Sequence, residues 1–242
     1  MNATSDNARE WPPIMPWLCA VLLVAALCMA LLVAPPERVM GDVQRIFYFH
    51  VASAFAALIG WIGCALASVA YLFFAGRRGQ ETIADIIDRI AYGLAEIGVL
   101  FGVIVLVTGP LWAKPVWQTY WNWEPRLVLM MLTQFLFIGY LILRGYAKRD
   151  AGGKKLAAGI AIIGGPAVYL IHVAVELWGG NHPSVINGEG IRTPLMQAAF
   201  WSAVGAVLLF AGYLVYLRVQ HHKLADDLEE GYLELADRED QR

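Results

Sequence analysis

No Cys-x-x-Cys or Cys-x-x-Cys-His pattern occurs in this chain, and its three cysteines, Cys19, Cys28 and Cys64, stand apart inside apolar runs. A thiol relay and covalent attachment of a prosthetic group are thereby disfavoured, and the cysteines read as small packing residues. The phosphate-cradling pattern G-x-x-x-x-G-K-[ST] is also missing, so any use of ATP belongs to other chains. Charge is scarce at 16%, and the net charge of −2 offers no field for nucleic acid. There is no internal repeat.

What the chain has instead is apolar length. Of its 242 residues 59% are hydrophobic, and a bilayer core of about 30 Å needs roughly twenty such residues per helical span. Six windows meet that demand, at about 15–34, 47–75, 91–109, 127–143, 156–178 and 194–217. The first is longer than a signal-peptide core and is kept as a permanent helix. The expected fold is an all-α integral membrane protein, a six-transmembrane-helix bundle with short loops. One membrane domain covers 1–217, and an acidic tail, an amphipathic helix or a solvated end, covers 218–242.

Basic residues orient the bundle. Thirteen of the 18 Lys and Arg fall in the N-terminal segment, the second and fourth connections and the tail, among them Arg77, Arg78, Arg144, Lys148, Arg149, Lys154 and Lys155. The positive-inside rule then puts both termini in the cytoplasm and the loops around Gly41, Trp121 and Asn187 outside.

Those three outer loops share one membrane face and carry the unusual residues. His50 opens the second span in "FYFHVASA", and His182 lies in "ELWGGNHPSVIN". Between them four of the nine tryptophans, Trp112, Trp117, Trp121 and Trp123, precede "EPR" at 124–126. The histidines are too far apart for a local metal motif, yet imidazoles from separate elements can supply both axial positions of a haem iron. Taken singly, each also fits an interfacial His bonded to backbone or water. Indoles belong at membrane interfaces, but four in one connection suggest flat surfaces for a flat ligand or partner. In a helix Trp117 and Trp121 share a face, whereas Trp121 and Trp123 share one only in a strand. Glu124 and Arg126 can pair to pin this platform, or Arg126 can face a ligand carboxylate or snorkel to headgroups.

Other polar residues in or beside the spans need partners in the protein interior. Glu96 is one; His172 and Glu176, four apart on one helix face, form a candidate structural pair. Lys114 and Arg192 are outer-face cations for anionic groups or lipid. Gly and Ala runs such as "GGPA" at 164–167 suit close helix packing.

The stretches "WQTYWNWEPRLV", "YFHVASA", "AKP" at 113–115 and "IHVAVELWGGNHP" resemble the CcmC family, the haem-handling membrane protein of cytochrome c maturation, also called haem exporter protein C. The resemblance runs over all six spans. It implies non-covalent haem b (iron protoporphyrin IX), with His50 and His182 as iron ligands. It also implies that Trp112, Trp117, Trp121, Trp123, Glu124 and Arg126 hold the haem or present it.

The implied partners are a membrane-anchored haem chaperone, ABC-type ATPase and permease subunits, a small single-span subunit and the lipid bilayer. The implied location is the bacterial inner membrane, with the tryptophan loop periplasmic and the chain a binding subunit rather than an enzyme. Three departures stand out: Glu124 replaces the usual Asp, Pro125 follows it, and Val128 stands where Thr is common. A transporter moving haem or another amphipathic molecule along Glu96 and His172, and a respiratory cytochrome subunit, are the competing expectations.

Overall fold

The structure, a computed structural model, describes residues 13–147, 151–182, 191 and 193–240. Six helices are long and apolar enough to cross a membrane, and no strand forms among the described residues. Helix α1 spans Met15–Cys28 and continues into a π-helical turn at Met29–Val33. The others are α2 (Gln44–Ala75), α3 (Glu81–Trp117), α4 (Pro125–Ala147), α5 (Ala151–Trp178) and α6 (Pro194–Asp240). All six expected spans are present as helices.

The apolar runs fix where helices cross, while local chemistry fixes where they stop. Arg45 donates its guanidinium to the Ala30 carbonyl at 2.8 Å, giving an acceptor at the end of the first span a partner. Pro125 sits at the first position of α4, where a missing N–H removes no helical bond. Helix α3 runs eight residues past its expected apolar window and ends where Gln118 turns left-handed, φ 60°. Trp112 and Trp117 therefore sit on its last turns rather than in a loop.

Buried faces are made of small residues and a few aromatics. Ala52, Ala56, Ala57, Ala95, Ala161 and Ala203 are buried, and Trp61 stacks on Phe137 at 5.6 Å and 15°. Larger aliphatics such as Leu66, Val69, Val107, Leu132 and Ile163 face outward. That inversion suits a surface bathed in lipid, where close backbone approach rather than water exclusion holds helices together.

Helix α6 does not stop at Leu217. Arg218, His222 and Asp226, spaced four apart on one face, meet α3 running the other way. Glu96 accepts from Arg218 through both carboxylate oxygens and from His222 Nε2 at 2.9 Å, and Arg89 pairs with Asp226 at 3.3 Å. His222 also stacks on Tyr92 at 4.1 Å. These contacts carry the helix beyond the membrane window into the exposed acidic tail.

Candidate functional site

At the end of the bundle where α3 finishes, a cavity of about 380 Å³ opens among α2, α3, α4, α5 and the two connections above them. That volume falls in the range of small-molecule and cofactor sites. Its apolar wall includes Val51, Phe55, Leu58, Met130 and Ile171. Six of the eight residues singled out from the sequence line it: His50, Trp112, Trp117, Trp121, Arg126 and His182. Trp123 and Glu124 do not.

His50 is oriented by its neighbours on α3. Its Nδ1 lies 2.9 Å from Thr108 Oγ1, and that hydroxyl donates its own proton to the Ile104 carbonyl at 2.7 Å. With the Thr proton already committed, His50 Nδ1–H must be the donor, which leaves the lone pair on Nε2. A second bond that fixes the tautomer in this way is the usual support for a metal-binding imidazole. Gly109 keeps room for the ring, since a Cβ there would lie 3.3 Å from His50 Cε1.

His182 reaches the cavity from the connection after α5. Its ring lies 6.2 Å from Trp117, and its Nδ1 is buried without a hydrogen-bond partner among the described residues. Burial first, and then the positive charge of Arg126 and the neighbouring His50 ring, push its pKa down to about 4. The ring is therefore neutral at physiological pH, the form in which imidazole binds metals.

Three indoles form the upper wall. Trp112 and Trp117 meet edge to face at 6.1 Å, and Trp121 meets the exposed Trp123 likewise at 5.9 Å. Because the helix ends at Trp117, Trp117 and Trp121 do not share a helical face, and the irregular alternative holds for the stretch after it. The turn at Gln118 brings both rings to the cavity by another route. Trp112 and Trp121 keep buried Nε1–H groups with no acceptor among the described residues.

Glu124 and Arg126 do not pair with each other. Arg126 donates Nε to the Ile171 carbonyl at 3.0 Å and Nη2 to the His172 carbonyl at 2.6 Å. Neither bond uses Nη1, and the side chain lines the cavity. Glu124 is buried and turned the other way. Its Oε2 accepts the backbone N–H of Asn181 and of His182 at 3.0 and 3.2 Å, and its Oε1 accepts Asn122 Nδ2 at 3.0 Å. Gly180 passes so close that a Cβ would lie 2.9 Å from Glu124 Oε2, and its φ of 153° is one that glycine tolerates.

Sequence reasoning passes over Thr108 and Tyr120, and it reads His172 and Glu176 as a structural pair. No hydrogen bond joins those two; both line the cavity, as does Tyr120. The helical spacing of His172 and Glu176 below His182 is the available signal. Glu96 lies with Arg218 and His222 instead, so Glu96 and His172 do not line one path. Lys114 donates to the Gln118 carbonyl at 3.0 Å and sits over the Tyr120 ring. Arg192 and the loop around Asn187 lie outside the described residues.

Two imidazoles lining one cavity, a wall of indoles with unfilled N–H donors and one guanidinium suit a flat, apolar, anionic ligand. The fold and this cavity define a multi-pass helical membrane protein with a largely apolar, cofactor-sized pocket at one end of the bundle. A family model described as heme exporter protein C matches residues 2–231. The chain is 32% identical over 203 residues to heme exporter protein C of Escherichia coli strain K12, covering 81% of this chain and 79% of that protein. It is 30% identical over 221 residues to heme exporter protein C of Haemophilus influenzae, covering 89% and 85%. It is also 30% identical over 207 residues to a putative cytochrome c biosynthesis ccmC-like mitochondrial protein of Marchantia polymorpha, covering 84% and 82%. The chain belongs to the heme exporter protein C family.

Proposed function

We propose that this protein handles haem for cytochrome c maturation by holding haem b non-covalently in the cavity, with His50 and His182 on opposite faces of the iron. The observation that carries this reading is the hydrogen-bonded chain from His50 through Thr108 to Ile104, which leaves Nε2 as the free lone pair in a cavity shared with His182. When bound, the haem supplies an iron able to take two axial nitrogens. Trp112, Trp117 and Trp121 give the porphyrin flat contact and exclude water. Arg126, anchored to α5, offers its remaining N–H donors to a propionate.

The excess of Lys and Arg in the opposite connections supports placing this end outside, on the periplasmic face of a bacterial inner membrane. There the exposed Trp123 and the turn beside it present the cargo to a membrane-anchored haem chaperone. Family membership supports work alongside ABC-type ATPase and permease subunits and a small single-span subunit. The chain itself acts as a binding and presentation subunit. The separation of Glu96 from the cavity argues against a haem pathway through the bundle.

The test is a visible spectrum of purified protein reconstituted with haem. His50→Ala and His182→Ala should each lower haem content or move the Soret band, while His221→Ala leaves both unchanged. Unaltered content and spectrum in both outer-end variants would overturn the ligand assignment.

A further inference from the structure

Three imidazoles line the cavity of the candidate site, those of His50, His172 and His182, and an iron porphyrin offers two axial positions. His172 is the one that the haem reading leaves without a task. It stands on α5, six residues before that helix ends at Trp178, which is about 9 Å inside the end by helical rise. That depth separates it from a histidine that caps a helix end at the interface. It is exposed rather than packed in the core, and its ring makes no hydrogen bond to a described residue. Glu176, one turn further on, is set against the charge of Arg126 instead. A polar ring in a membrane-spanning helix is costly, and where it has no structural partner it marks a functional position.

The backbone that carries this ring is fixed in the same manner as that of His182. Glu124 accepts the His182 N–H at 3.2 Å, and Arg126, two residues on, donates Nη2 to the His172 carbonyl at 2.6 Å. The bond from Arg126 Nε to the Ile171 carbonyl at 3.0 Å holds the same turn. One short stretch therefore secures two histidine-bearing segments at one cavity, the last turns of α5 and the connection that follows them. His50 belongs to another wall, on α2, and its Nε2 lone pair is available whichever of the two serves as its counterpart. Presentation of a cargo needs a route off its ligands. A third nitrogen in the same cavity lets one axial bond be replaced before both are lost.

We propose that His172 is an alternative axial ligand, exchanging with His182 on the face of the iron that His50 does not hold. In the exchange the bond from iron to the His182 nitrogen breaks as one from a neutral His172 nitrogen forms; no proton or electron moves, and the His182 lone pair is freed. The inference rests on the haem reading and adds to it a ligand swap that loosens the cargo from the connection after α5.

The experiment is absorption and electron paramagnetic resonance spectroscopy of the full chain reconstituted with ferric haem near neutral pH. Wild type, His172→Ala, His182→Ala and the double variant are compared, each with and without free imidazole. His172→Ala should keep the haem content and the six-coordinate low-spin signal of wild type, which also shows that it folds. His182→Ala should bind less haem yet keep a six-coordinate low-spin signal, now from His50 and His172. The double variant should lose that signal, and free imidazole should restore it. High-spin haem in His182→Ala, a His182→Ala that holds no haem, or a low-spin signal that survives in the double variant would overturn the exchange. The haem reading fails separately, if wild type itself shows no bis-imidazole low-spin signal.

Discussion

Glu124 holds the backbone that carries His182. One oxygen of this buried carboxylate accepts two consecutive N–H groups, those of Asn181 and His182, and the other accepts the Asn122 amide. The acidic position of the tryptophan-rich stretch therefore lies behind the candidate ligand and outside the cavity lining. Its work is to fix where that ligand stands.

Replacing Glu124 by Ala should lower haem occupancy after purification by roughly ten-fold or more, the usual scale for removing a group that orients a metal ligand. Glu124→Gln keeps the length and one acceptor oxygen and should recover much of the loss. Glu124→Asp is a methylene shorter and should recover less. Haem-to-protein absorbance ratios decide the order, and an Ala variant with full occupancy would rule out the positioning role.

The same reasoning applies to His50 from the other wall. Thr108→Val removes the acceptor of the His50 Nδ1 proton with little change in volume, while Thr108→Ser retains it. Haem titration should give the Val variant an affinity about 10- to 100-fold weaker and the Ser variant one near wild type. Equal weakening in both would mean that the methyl contact, and not the hydrogen bond, supports the ring.

Much of this architecture is legible in the amino-acid order itself. Apolar length locates all six helices, because the bilayer imposes a minimum run that hydropathy counts directly. It cannot locate helix ends outside the membrane, which depend on contacts between distant residues. The overrun of α6 rests on Arg218, His222 and Asp226 meeting Glu96, Tyr92 and Arg89, and the overrun of α3 carries Trp112 and Trp117 to the cavity. In the candidate site the residue types are visible, whereas their division of labour is not. Glu124 and Arg126 are two apart, yet one faces the backbone of a loop nearly sixty residues away and the other lines the cavity.

Acid should act on the site through His182. Its pKa is lowered from 6.5 to about 4, so the ring is neutral in the folded protein across the physiological range. As pH falls through 6.5 the unfolded chain takes up this proton before the folded one does, and stability contributed by the neutral ring is lost progressively down to about 4. Iron and proton compete for ring nitrogen, so axial ligation should hold steady through pH 6.5 and fail only on approach to 4. A Soret-band titration checks this; a midpoint at or above 6.5 would mean that His182 titrates as a solvated imidazole.

The two tryptophans of "WNW" should separate in function although only Asn122 lies between them. Trp121 lines the cavity, whereas Trp123 is 74% exposed and touches it only through the edge of Trp121. Truncating Trp121 removes an apolar wall and should weaken haem retention by roughly ten-fold or more, in keeping with about 1.5–3 kcal/mol for a large buried side chain. Trp123→Ala leaves the wall standing and should change haem content by less than about two-fold, since exposed substitutions usually stay within 0.5 kcal/mol. If Trp123 is instead part of the surface that meets the haem chaperone, its loss should appear in co-purification of that partner while the spectrum stays the same. Equal loss of haem in the two variants would mean that the indole pair acts as one unit and that exposure of Trp123 does not mark a separate role.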